Sequence, residues 1–119
     1  MGQFSVKVMV AHPTDPALRE DVELLVDTGA TLTWVPKDVL ERLGVPRVGR
    51  REFLVADGRT VERDIAGAVL GLNGEKAVVT VVLAEPGDNG LLGATALESL
   101  GFAVDPVSQK LIPRTLLAM

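Results

Sequence analysis

The sequence predicts an all-β, mostly antiparallel domain with one or two short helices, and three observations carry that expectation. Apolar residues, many of them β-branched, recur with a period of two. Gly, Pro and Asp break the alternation into short runs, and Asp57-Gly58 stands between two such runs as a hairpin signal. At 119 residues the chain suits one domain, 1–119, and is too short for two ordinary ones. A function that needs a second lobe must take it from another chain.

Strands are expected at 4–11 and 20–26, joined by a loop holding Pro13, Asp15 and Pro16, whose prolines supply no ladder donors. Further strands are expected at 32–35, 51–56, 59–72, 75–84 and 101–105, with a last hairpin arm near 109–112. Read as a two-residue turn, Asp57-Gly58 sets Leu54 opposite Val61, Glu52 opposite Arg63 and Arg51 opposite Asp64, two opposite-charge pairs. Such a ribbon is either an ordinary sheet edge or a projecting flap, and turn chemistry alone does not separate them.

Residues 37–43 and 94–100 space leucines three apart and stop at Gly44 and Gly101, the pattern of short helices with left-handed ends. Sliding the chain along itself by 57 positions lays Leu40, Glu41, Leu43 and Gly44 on Leu97, Glu98, Leu100 and Gly101. The apolar pairs before each helix, Trp34-Val35 and Leu91-Leu92, coincide too. Either two amphipathic helices match by chance, or a strand, turn and helix unit occurs twice.

Composition narrows the chemistry. With 47% apolar and 24% charged residues the chain is a soluble globule rather than a disordered tail. It has no cysteine and one histidine, His12, which leaves thiolate and multi-histidine metal chemistry without donors. No metal and no cofactor is expected. A net charge of -4 without a basic run argues against nucleic acid, and no apolar stretch reaches membrane length. MGQFSVKVMV lacks the features of a secretory signal, so a cytoplasmic protein is expected.

Leu24-Leu25-Val26-Asp27-Thr28-Gly29-Ala30 is the stretch that carries chemistry: an apolar strand delivers a carboxylate into a tight Thr-Gly turn, where a core ends and a cleft can begin. Taken alone, Asp-Thr-Gly reads as a strand-ending Asx turn. It does not stand alone, because Leu91-Leu92-Gly93-Ala94 follows with its own short helix and the 51–64 hairpin lies between.

In these elements the chain resembles the retropepsin-like aspartic proteases, single-lobe relatives of pepsin. The apolar-apolar-Asp-Thr-Gly-Ala signature at 25–30, the hairpin at 51–64 and the apolar-apolar-Gly plus helix at 91–100 occur in that family's order and spacing. The resemblance implies a closed β-barrel lobe with a hairpin flap and a duplicated strand-loop-helix unit. It also implies a homodimeric endopeptidase acting on peptide or protein, with Asp27, Thr28 and Gly29 at the catalytic turn. Ala30, Trp34, Val55, Ala56, Asp57, Gly58, Leu91 and Leu92 are the implied substrate-binding residues. Trp34 reads equally as plain core. His12, Asp64 and Asp105 are expected at surface turns or salt bridges. Residues 87–95, though glycine-rich, lack the Lys-Ser/Thr ending of a phosphate loop.

Retroviral members carry an acid after Asp-Thr-Gly-Ala and an arginine after the apolar-apolar-Gly, where this chain has Thr31 and Ala94. An ion pair that braces the retroviral dimer is therefore missing. The flap has no tyrosine, and the tail beyond Asp105 is longer, with Leu111, Ile112, Leu116, Leu117 and Met119 offering apolar surface for an interface. A catalytically weak or inactive dimerisation or peptide-binding module is the alternative to an active peptidase.

Overall fold

The computed structural model describes residues 3–116 and 118, so Leu117 and Met119 lie outside the described residues. In chain order the elements are β1 (Ser5–His12), β2 (Asp15–Val26), β3 (Thr33–Pro36), α1 (Lys37–Arg42), β4 (Arg47–Leu54), β5 (Thr60–Leu72), β6 (Glu75–Ala84), β7 (Leu91–Leu92), α2 (Ala94–Leu100), β8 (Phe102–Asp105) and β9 (Lys110–Pro113). No helix among the described residues is long and apolar enough to cross a membrane.

Period-two burial along β1, β5 and β6 requires that one face of each strand be covered, and the chain meets this by closing its sheet. The strand order is β1-β2-β7-β3-β6-β5, and β5 returns to β1 through Met9–Gly71, Val10–Leu70 and Ala11–Val69. Closure removes two edges; β4 hangs outside the ring on β5. Most pairings are antiparallel, with short parallel contacts between β2 and β7 and between β3 and β6. Inside lie Val8, Val10, Leu24, Leu70, Val81 and Leu92, none with any exposed surface. Burying each such side chain contributes about 1.5–3 kcal/mol. The two helices plug the ring with Val39 and Leu40 from α1 and Ala96, Leu97 and Leu100 from α2. Each gives way to a glycine of positive φ, Gly44 at 70° and Gly101 at 82°.

The internal echo is spatial as well as sequential. Leu25 pairs with Leu91 and Val26 with Leu92; the 57-position slide turns these pairs into Val82 with Trp34 and Leu83 with Val35, and both occur in the same parallel sense. Trp34 and Leu91, equivalent under the slide, face each other where β3 meets β7. The repeat is therefore a pseudo-two-fold arrangement of strand pairs.

Two strands start well before the sequence reading places them. Strand β2 begins at Asp15 rather than Glu20, because the register jumps between Ala11–Arg19 and His12–Asp15 and leaves Pro16 to Leu18 as a bulge where a missing N–H costs nothing. Strand β4 begins at Arg47, four residues before the expected start, held by ion pairs from Arg47 and Arg50 to Asp64.

Candidate active site

Asp27 follows the last residue of β2, and its position is set from three directions. Its backbone N–H donates to the Leu92 carbonyl at 3.0 Å, its carbonyl accepts from the Ala30 N–H at 3.2 Å, and its Oδ1 accepts from the Gly29 N–H at 2.9 Å. The Asx turn expected of Asp-Thr-Gly is thus present, and it orients the carboxylate. Asp27 is half-buried, while Thr28 and Gly29 are exposed. One oxygen is held by the turn; the group as a whole still faces solvent.

The second strand-turn-helix unit clamps this loop. The Ala94 N–H donates to the Ala30 carbonyl at 2.8 Å and the Thr95 N–H to the Thr31 carbonyl at 3.1 Å. At the two positions where the retroviral ion pair is absent, backbone hydrogen bonds therefore join the same two segments within one chain. Gly93 lies so close beneath that a Cβ there would stand 2.4 Å from the Leu32 carbonyl oxygen and 2.8 Å from that of Ala30. Thr33, with no exposed surface, accepts the Gly93 N–H on its hydroxyl at 3.0 Å. Sequence reasoning singled out neither Thr33 nor the space requirement at Gly93; the signal was the third threonine of Asp-Thr-Gly-Ala-Thr-Leu-Thr.

The residues expected as pocket walls separate into two groups. Trp34, Val55 and Leu91 join Phe53, Val61 and Ile65 in an apolar cluster distinct from the main core, with Trp34 and Phe53 packed edge to face at 5.2 Å. Trp34 is only 8% exposed, so it packs as a core residue of this second cluster. Leu92 is a correction: its side chain is fully buried in the main core and presents no wall, and it serves the site through its carbonyl. Ala56, Asp57 and Gly58 form the exposed hairpin tip, where the Asp57 carboxylate accepts from the Arg59 side chain at 2.7 Å. His12 ends β1 and its ring accepts the Thr14 N–H of the turn, Asp64 belongs to the Arg47–Arg50 ion-pair network, and Asp105 ends β8 with its carboxylate accepting the Val107 N–H.

The hairpin register also needs correction. Val55 and Arg59 close a three-residue loop with Gly58 at φ 90°, and the strands pair Leu54 with Thr60, Phe53 with Val61, Glu52 with Glu62 and Arg51 with Arg63. This one-residue slip puts Phe53 and Val61 on the inner face and leaves Leu54 76% exposed. The sequence register would instead set Glu62 beside Phe53. Exposed charge pairs contribute at most about 1 kcal/mol, less than burying Phe53 and Val61 together.

A separate cleft of about 570 Å³ opens on the other side of Asp27 and Thr28, lined by Phe4, Leu97, Phe102 and Val104 among others. It lies between the N-terminal end of β1, α2 and the β8–β9 hairpin. Near it Ile112 and Leu116 are exposed at the C-terminal end, while Leu111 is half-buried.

Charge is organised around the hairpin. The Arg63 guanidinium donates through Nε and Nη2 to both oxygens of Asp88 at 2.7 and 2.9 Å, and both side chains are 18% exposed. That guanidinium holds the Asp88 carboxyl below its ordinary value of 3.8, and Arg50 and Arg47 do the same for Asp64. A carboxyl with a depressed folded-state value stabilises the fold above the unfolded value and loses that contribution as pH falls through the folded one. Urea midpoints should therefore drop as pH is lowered from 5 to 2, and Asp88→Asn should reduce the size of that drop. An equal drop in the variant would remove Asp88 as a source of acid sensitivity.

A closed lobe in which Asp-Thr-Gly leaves a strand and is clamped by a second strand-glycine-helix unit, with a hairpin carried on the same sheet, defines the retropepsin-like fold of the aspartic proteases. The chain belongs to the family described as "gag-polyprotein putative aspartyl protease", whose profile matches residues 19–99. No curated protein sequence matches it. Among solved structures it is similar to the equine infectious anaemia virus (EIAV) protease complexed with the inhibitor HBY-793, at 18% identity and TM-score 0.62, covering 84% of this chain and 89% of that one. A retropepsin-like aspartic protease from Rickettsia conorii is similar at 22% identity and TM-score 0.60, covering 87% and 77%. The solution structure of simian foamy virus (mac) protease gives 19% and 0.55, covering 79% and 91%.

Proposed function

We propose that the protein is a homodimeric aspartic endopeptidase in which Asp27 from each of two copies forms the catalytic dyad. The observation that carries this reading is Asp27 itself, a half-buried carboxylate oriented by its own Asp-Thr-Gly turn beside the exposed Thr28 and Gly29. Hydrolysis without a metal or a nucleophilic side chain needs one group to take a proton from water and another to give one to the carbonyl oxygen. One chain offers one such aspartate; a two-fold partner offers the second. Two carboxylates about 3 Å apart cannot both ionise easily and share a proton.

In that arrangement the ionised carboxylate removes a proton as water attacks the peptide carbon, and the protonated one donates to the carbonyl oxygen. The gem-diol then collapses: the ionised carboxylate takes a proton from one of its hydroxyls, the C–N bond breaks, and the departing amine takes the proton of the other carboxyl, which restores the singly protonated dyad. The exposed Thr28 hydroxyl and Gly29 backbone stand where a partner copy and a peptide would approach. Trp34, Leu91 and Val55 would wall the apolar side of the peptide, and Ala56 to Gly58 would close over it. The apolar cleft beside Thr28 and the exposed Ile112 and Leu116 supply surface for the second copy.

Cleavage of a diverse peptide library should be greatest at about pH 4 to 6, as for carboxylates sharing a proton, and pepstatin should block it. Specific activity should fall on dilution as dimers dissociate, and truncation after Asp105 should move that fall to higher concentration. Full activity from a species that sediments only as monomer would overturn the dyad. Binding of pepstatin by a dimer that cleaves nothing would instead identify a peptide-binding module.

A further inference from the structure

We infer that the Arg63–Asp88 ion pair is a positioning clasp that fixes the base of the 51–64 hairpin against the loop entering β7, and thereby sets how the hairpin lies over a bound peptide. The inference rests on the peptidase reading above.

Arg63 is on β5, and its neighbours on the same face, Val61 and Ile65, both belong to the Trp34 cluster. Its guanidinium leaves the hairpin and grips Asp88 with two parallel hydrogen bonds. Asp88 is itself built into a turn: its Oδ2 accepts the Glu85 N–H at 2.8 Å, and its N–H donates to the Glu85 carbonyl at 2.9 Å. From that turn the chain runs directly to Gly90, whose carbonyl accepts the Leu25 N–H, and to Leu92, whose carbonyl accepts the Asp27 N–H. The hairpin base and the Asp27 loop thus meet in one hydrogen-bonded path. The other hairpin ion pairs behave differently: Arg47, Arg50 and Arg59 bond carboxylates of the hairpin or α1, and all are more exposed than Arg63. Paired, low-exposure geometry is what distinguishes a positioning contact from a solvated one.

The test uses Asp88→Asn, Arg63→Gln and the charge-swapped double variant Arg63→Asp/Asp88→Arg in the full chain. Amide exchange should quicken in 51–64 and stay unchanged in 20–26 for each single variant, with partial recovery in the double one. With a fluorogenic peptide that the wild type cleaves, each single variant should raise KM about fivefold, the loss expected of one partly buried ion pair, while kcat stays within about twofold. Arg63→Lys keeps the charge without the fork, so it should give a smaller increase in the same segment even if Arg63→Gln unfolds. Unchanged hairpin exchange in Asp88→Asn and Arg63→Lys, or a fall in kcat at constant KM, would overturn the clasp. Should the wild type cleave nothing, the peptidase reading falls while the exchange comparison still decides the clasp.

Discussion

Asp27→Asn should abolish measurable peptide hydrolysis, a fall of roughly 10³-fold or more in kcat, the scale on which a positioned acid–base group acts, while fold and dimer persist. An amide nearly matches a carboxyl group in shape, and its oxygen still accepts the Gly29 N–H that shapes the turn. It cannot take a proton from water or return one to the carbonyl oxygen. The loss should therefore appear in turnover and leave pepstatin affinity and peptide binding close to wild type. Removing the repulsion between two carboxylates should also tighten the dimer, which sedimentation at low concentration would reveal. Wild-type turnover in the variant, or activity that a chelator removes, would dismiss the dyad and the peptidase reading with it.

The largest expected effect on stability comes from Gly93→Ala. The backbone there has φ -92° and ψ 175°, which any residue adopts, so the requirement is for space and not for conformation. A Cβ would sit 2.4 and 2.8 Å from two carbonyl oxygens of the loop that carries Asp27. Those atoms are backbone and cannot rotate away, so the loop or α2 must move. The cost should be about 3 kcal/mol, read from urea unfolding at fixed protein concentration. The same substitution at Gly67, where nothing lies within 4 Å, should change stability by less than about 1 kcal/mol. The entropy lost by the unfolded chain acts in the stabilising direction at both positions, so similar losses at Gly93 and Gly67 would dismiss the loop contact as the cause.

Much of this was legible in the sequence, and the parts that were not share a physical cause. Period-two alternation locates β1, β5 and β6 because one face of each meets the core, and the 57-position echo anticipates the paired strand units. The hairpin register differs because Asp57-Gly58 reads as a two-residue turn while the chain makes a three-residue one: Phe53 and Val61 must stand together to reach Trp34, and that requirement decides the pairing. The partner of Arg63 could not be read locally, since Asp88 lies 25 positions away and is brought near only by ring closure. Leu91 and Leu92 read as a pair in the sequence, but alternation sends Leu91 to the Trp34 cluster and Leu92 into the main core.

The duplicated units have divided their labour. Under the slide that relates them, the counterpart of Asp27 is Ala84, which ends β6 at 4% exposure among Trp34, Ile65 and Val82. One half of the repeat turns outward at this point and shows a carboxylate to solvent; the other spends the position on packing. A carboxylate at 84 would enter an apolar cluster and would protonate or disrupt its surroundings before it could share a proton with anything. Under the proposed dyad, self-sufficiency is therefore not one substitution away, and two copies joined in tandem are the shortest covalent route to it.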